Sequence, residues 1–229
     1  MTIMMGMTSM AGKRSLTVVF LRQGYSLHSR VRQKVFSTRS EASPLFLSPP
    51  EIVNSVEPSP KILFPKDIQV IPVSTADEIL SQVEHHYDVE GGQFVGGMGE
   101  SDSGVWFVPT NDSDPVNHLD DLLMESIEQV KERRHGVPFG IYTSGVISVD
   151  PEKLHVFDTI HVSLLAATPR DYCEAAGVFR EEMFGDVCNF LVNAHEEGLP
   201  LQVGVLKKYA AEARELAIAL GAQEVHLYD

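Results

Sequence analysis

The sequence predicts an α/β fold: six parallel strands alternating with helices in a partly open β/α barrel, behind a disordered N-terminal segment. Three observations carry this reading. From Asp67 onward, short apolar runs alternate with helical patterns. Prolines at 44, 49, 50, 58, 60 and 65 break the chain just before that alternation begins. A composition of 43% apolar and 22% charged residues over 229 positions can bury one core. A doubly wound sheet is the alternative arrangement of the same elements. In either, ligands belong at the C-terminal ends of the strands.

The strands are expected at 67–73, 93–96, 138–142, 159–164, 201–206 and 224–227. Between the first two, Thr75-Ala76-Asp77-Glu78 reads as a capping box opening a helix. Residues 100–113 read as a long loop, in which Trp106-Phe107 anchors to the core. Asp114-Pro115 starts a second helix with Leu119, Leu122, Leu123, Ile127 and Val130 on one stripe. Lys131, Arg133 and Arg134 complement its C-terminal dipole and Gly136 ends it. Thr168-Pro169 caps a short helix. A longer one over 181–197 buries Met183, Phe184, Val187, Cys188, Leu191 and Ala194. The last, over 209–220, buries Ala213, Leu216 and Leu220 and stops at Gly221.

Charge divides the chain. Residues 1–40 hold Lys13, Arg14, Arg22, Arg30, Arg32, Lys34 and Arg39 with no acid, although the whole chain carries a net charge of -14. Such a basic, Ser/Thr-rich, acid-free segment has the composition of a transit peptide, with the mitochondrial matrix ahead of the plastid as destination. Residues 41–65 read as a Pro-rich linker and 66–229 as the folded domain. That domain is strongly acidic, which argues against nucleic acid as a partner. No apolar run is long enough to span a membrane. Two cysteines exclude a disulfide scaffold.

The most specific local feature is Gly96-Gly97-Met98-Gly99-Glu100, directly after the expected strand Gln93–Val95. Glycines at a strand exit let backbone approach a ligand, and a carboxylate there accepts hydrogen bonds from an ammonium. A tight turn is the plainer reading of the same residues. The segment lacks the Gly-Lys-Ser/Thr ending of a phosphate loop. His85 and His86 are adjacent on a helix and diverge by about 100°, so they cannot chelate one metal together. Asp102, Asp112, Asp114, Asp120 and Asp121 make 100–121 acidic, which reads as a solvated loop.

Taken in order, several short motifs resemble the radical S-adenosylmethionine superfamily, in particular the TatD-associated radical SAM proteins. Phe94-Val95-Gly96-Gly97-Met98-Gly99-Glu100 is similar to that family's Gly-x-Gly-Glu strand exit. Ile141-Tyr142-Thr143-Ser144-Gly145 stands where the family has Leu-Asn-Thr-Asn-Gly, and Ile160 to Ala166 resembles its Ile-Ser-Val-Ser-Leu-Asn-Ala strand. Arg134-His135-Gly136-Val137-Pro138, Glu181-Glu182 with Phe190, and the last helix from Glu212 to Gly221 also resemble the family at matching positions. The resemblance implies a partial (β/α)6 barrel and a small-molecule ligand at its mouth. It also implies S-adenosylmethionine on a [4Fe-4S] cluster held by a Cys-x3-Cys-x2-Cys loop after the first strand, where cluster and cofactor supply a 5′-deoxyadenosyl radical. The cofactor-binding positions it implies here are Gly97, Gly99, Glu100, Thr143, Ser144 and Ser163.

The chain departs from the pattern where the chemistry sits. It passes from the first expected strand straight into Ser74 and a helix, with no cysteine loop. Its cysteines are Cys173 and Cys188, fifteen residues apart, so the cluster is not expected and no residue is assigned as catalytic or metal-ligating. Ser144 and Leu165 replace asparagines of the family pattern. The reading is a radical-SAM-like domain without its cluster-binding loop: a binding or structural protein with a weak residual S-adenosylmethionine-type site. The alternative is a radical SAM enzyme whose cysteine loop is missing from this version of the sequence. A third reading is an unrelated organellar barrel enzyme using the acidic loop and a metal.

Overall fold

The structure is a computed structural model that describes residues 3–10, 13–20, 44–51, 59–88, 104–111 and 113–229. The chain divides into two units, Met1–Ser40 and Glu41–Asp229. In the first, β1 (Ile3–Met10) pairs antiparallel with β2 (Lys13–Phe20).

The second unit is an α/β fold built on a seven-stranded, all-parallel sheet. Its strands are β3 (Leu45–Ser48), β4 (Val70–Pro72), β5 (Val105–Phe107), β6 (Phe139–Thr143), β7 (Thr159–Leu165), β8 (Leu201–Leu206) and β9 (Glu224–Tyr228), in the spatial order β4-β3-β5-β6-β7-β8-β9. The helices are α1 (Ala76–Asp88), α2 (Met124–Arg133), α3 (Pro169–Ala176), α4 (Glu182–Glu196) and α5 (Ala210–Ala219). Among the described residues no helix is long and apolar enough to cross a membrane.

β1 and β2 lie in the segment expected to be disordered, and within the second unit two further strands lie where none was expected. Leu45-Phe46-Leu47-Ser48, inside the segment read as a linker, is an interior strand bonded to both β4 and β5. The linker assignment of 41–65 is corrected accordingly, and the folded unit begins near Glu41. Pro44 and Pro49 bracket this strand and so remove no ladder donor from its interior. Trp106-Phe107 does anchor to the core, but as part of β5 and not of a loop. The strand expected at 93–96 falls outside the described residues. The one expected at 67–73 shrinks to the edge strand β4.

Local signals explain the helix ends. Glu78 N–H donates to Thr75 Oγ1 (3.2 Å), and the Glu78 carboxylate reaches back to Ser74 N–H (2.7 Å), a capping box shifted by one residue. Thr168 Oγ1 accepts from Asp171 N–H (3.2 Å), and α3 ends on left-handed Gly177. The helix expected from Asp114 begins as a 3-10 turn (Pro115–His118), passes through a π turn (Leu119–Leu123) and becomes α2. Its predicted stripe of Leu119, Leu122, Leu123, Ile127 and Val130 is buried throughout.

The helices share one face of the sheet. There Leu47, Phe107, Ile141, Ile160 and Leu201 follow one another in register across five strands, all fully buried. Each such side chain contributes about 1.5–3 kcal/mol. Ile79 and Val83 of α1, Ile127 of α2, Val187 and Leu191 of α4 and Ala213 of α5 join the same core. The opposite face carries a second cluster of Phe46, Trp106, Val108 and Tyr142, covered by Ile62, Phe64 and Ile68 from the β3–β4 connection. Right-handed crossovers demand this division. The step from β3 to β4 runs along the sheet opposite to every later step, so its connection lies on the other face. One-sided helices fit a partial barrel and not a doubly wound sheet.

Candidate functional site

The barrel reading directs attention to the C-terminal ends of the strands, and three of the six expected site residues are described there. β6 delivers Thr143 and Ser144. Both face Asp114, the residue that caps the 3-10 turn before α2. One Asp114 oxygen, Oδ2, accepts from Thr143 Oγ1 (2.8 Å), Ser144 N–H (2.8 Å) and Ser144 Oγ (2.7 Å). The other, Oδ1, accepts from Val116 N–H (3.1 Å). Asp114, Thr143 and Ser144 are all buried. Burial pushes the Asp114 carboxyl above the usual carboxylate range, opposed by the hydrogen bonds from Ser144, Val116 and Thr143.

Ser163, at the end of β7, is also occupied by the fold. Its hydroxyl oxygen accepts from Leu63 N–H (2.8 Å) on the connection that crosses the sheet. Two residues on, Leu165 is fully buried at φ +64°, beside a register shift against β8. A left-handed leucine is costly, whereas asparagine tolerates that conformation. Asparagine is the residue that the radical SAM pattern places there.

Below this end, the face opposite the helices carries Tyr142, His161 and Tyr228. Tyr228 Oη and His161 Nε2 share a hydrogen bond of 3.1 Å. The other ring nitrogen, Nδ1, is buried without a hydrogen-bond partner among the described residues. The His161 ring lies 4.6 Å from that of Tyr142 and 5.6 Å from that of His226. Burial first, and His226 second, lower the His161 pKa to about 3. The imidazole is therefore neutral at ordinary pH. Burial raises the Tyr228 phenol to about 12, and the Tyr142 phenol higher still.

Gly97, Gly99 and Glu100 lie outside the described residues. The strand that follows α1 in the sheet is β5, which starts at Val105, after Glu100 in the chain. The thiols are elsewhere, Cys173 on α3 and Cys188 on α4. Both are free and both are pushed up by burial, which favours the thiol over the thiolate a metal requires. Among the described residues no three His, Cys, Asp or Glu side chains are grouped to hold a metal ion. A cluster needing three thiolates does not fit a chain that has two helical thiols.

Sequence reasoning placed Thr143, Ser144 and Ser163 at strand exits, but missed the groups that bind them. Asp114 carried a signal in Asp-Pro before a helical stripe, which marks the cap and not its partners. His161 is a polar residue in the middle of a buried strand, the kind of position where an unexpected polar side chain has a defined environment.

No family model matches this chain, and no curated protein does. Among solved structures it is similar to that of TYW1 with a lysine-pyruvate adduct bound, at 14% sequence identity and a TM-score of 0.39. The likeness covers 67% of this chain, which spans 50% of that one.

Proposed function

We propose that this chain is a radical-SAM-like domain that performs no radical chemistry and acts as a binding or structural protein. One observation carries the reading. The polar groups that should face a ligand at the ends of β6 and β7 are bound by the fold itself, Thr143 and Ser144 by Asp114 and Ser163 by Leu63. The chain's two cysteines agree with it, since three thiolates are the minimum for the cluster. What remains of an S-adenosylmethionine-type site then rests on Gly97, Gly99 and Glu100. With no iron to chelate the amino and carboxylate groups, that ligand binds with a dissociation constant of about 0.1–1 mM.

Anaerobic reconstitution with iron and sulfide, followed by S-adenosylmethionine and a reductant, tests this. The expected result is no cluster absorbance, no 5′-deoxyadenosine and a weak calorimetric signal that disappears in Glu100→Ala. Stoichiometric cluster assembly with cofactor cleavage overturns the reading, and micromolar binding that survives Glu100→Ala removes the site from Glu100.

Residues 1–40 are proposed as a mitochondrial presequence on their charge alone. Fused to a fluorescent protein, they are expected to carry it into mitochondria. A reporter left in the cytosol, or delivered to plastids, ends the proposal.

A further inference from the structure

The crossover from β6 to β7 contains no α-helix. It leaves β6 through Gly145, runs without helix or strand through Val146–Asp150, and turns once as a 3-10 segment, Pro151–Val156. Every later crossover in this sheet includes an α-helix, so the helical layer has a gap at this point, beside α4. A cavity of about 220 Å³ occupies it.

One wall is α4. Its Val187, Leu191 and Ala194 are buried against the sheet. Asp186, Asn189 and Asn193, spaced three and four residues apart, form one row of a carboxylate and two carboxamides lining the cavity. None of the three side chains has a hydrogen-bond or ion-pair partner among the described residues, although the Asp186 charge acts on the buried Tyr172 phenol. Phe190 also lines the cavity, next to Gly145. At φ +74° Gly145 approaches β7 closely, since a Cβ there would sit 2.8 Å from Val162 Cγ1, while the Phe190 ring at 3.6 Å would be in ordinary contact. The opposite wall is the segment Gly145–Val149. Ile147, Ser148 and Val149 make no backbone hydrogen bond among the described residues.

The chemistry of this lining is selective. It has one negative charge and no lysine, arginine or histidine, so phosphates and carboxylates are disfavoured. It offers paired donors and acceptors in a row above aliphatic and aromatic surface, which suits a flat molecule with a hydrogen-bonding edge. Asparagine carboxamides pair two-fold with the amino and ring nitrogens of adenine, and a carboxylate accepts from an exocyclic amine. The volume corresponds to about seven waters, the scale of a purine ring whose sugar stays in solvent.

We propose that this cavity binds an amino-purine nucleoside of the adenosine type, independently of the mouth of the barrel. Asp186 accepts from the exocyclic amine, Asn189 and Asn193 pair with the ring edge, and Phe190 packs against the base.

Calorimetric titration of the 229-residue chain with adenosine and inosine tests it. Inosine presents a carbonyl where adenosine has the amine, setting acceptor against the Asp186 carboxylate. Adenosine is expected to bind at least about tenfold more tightly. Asp186→Asn should erase that preference, and Asn189→Ala and Asn193→Ala should each weaken adenosine about tenfold. All three positions are exposed, so the melting curves of the variants should match that of the unaltered chain. Equal affinity for the two nucleosides, no detectable adenosine binding, or unchanged binding in Asn193→Ala overturns the proposal. So does adenosine binding lost in Glu100→Ala but retained in Asn193→Ala, which assigns the nucleoside to the mouth.

Discussion

Replacing Asp114 by alanine is expected to lower the melting temperature by roughly 5–15 °C, from a loss of about 2–4 kcal/mol. The carboxylate receives two backbone N–H groups and two hydroxyls in a buried site, and alanine leaves all four donors without an acceptor. The pH dependence separates this from simple loss of volume. Asp114 has a folded pKa above its unfolded value, so the folded state holds the proton more tightly. Its contribution is fullest below the normal carboxylate range and declines as pH rises from there through the raised folded value. Asp114→Asn keeps the shape and cannot titrate. Urea melts at a series of pH values should show the wild type losing stability relative to this variant as pH increases. A stability difference that does not change with pH would show that burial does not disfavour the charged form.

His161 gives the second large effect, with the opposite sign. Its folded pKa of about 3 lies far below the usual imidazole value, so folding excludes the proton. Its contribution is complete above the unfolded pKa and is lost as pH falls, at about 1.4 kcal/mol per unit between roughly pH 6.5 and 3. His161→Phe keeps a ring against Tyr142 and removes the hydrogen-bond partner of Tyr228, at a cost of about 1 kcal/mol at neutral pH. Below pH 6 the curves of wild type and variant should converge and then cross, because the phenylalanine chain has no proton to exclude. Parallel curves down to pH 4 would mean that His161 is not held neutral by its surroundings.

Which parts of this fold were legible in the sequence follows from how far each interaction reaches along the chain. Ile160-His161-Val162-Ser163-Leu164-Leu165 and Leu201 to Leu206 read as strands because a parallel strand covered on both faces is a near-continuous apolar run. β3 was hidden by its own punctuation: prolines on both sides made a four-residue strand look like linker, and nothing local reports its neighbours 24 and 60 residues away. β5 has three residues, too few for periodicity to separate from loop. The site failed in the same way. Thr143, Ser144 and Ser163 carry hydroxyls that suit a ligand and suit an internal partner equally well. The partners, Asp114 and Leu63, lie 29 to 100 residues away and belong to elements whose placement only the sheet order decides.

The bond between Leu63 and Ser163 joins residues 100 positions apart, and it bears on when the molecule is finished as well as on how it is held. Closing a loop of that length costs more chain entropy than any of the neighbouring strand crossovers, and such contacts slow folding in proportion to their sequence separation. The connection can settle on its face only once β7 stands in place beside β6. The reverse step parts one buried hydrogen bond, the Lys61 N–H bond to Ala176 C=O, and the contacts of Ile62, Leu63 and Phe64. Such a segment opens at a lower free energy than the sheet beneath it. Amides of residues 61–64 should therefore exchange with solvent ahead of those in β6, β7 and β8, and Tyr142 and His161 are wetted each time the segment lifts.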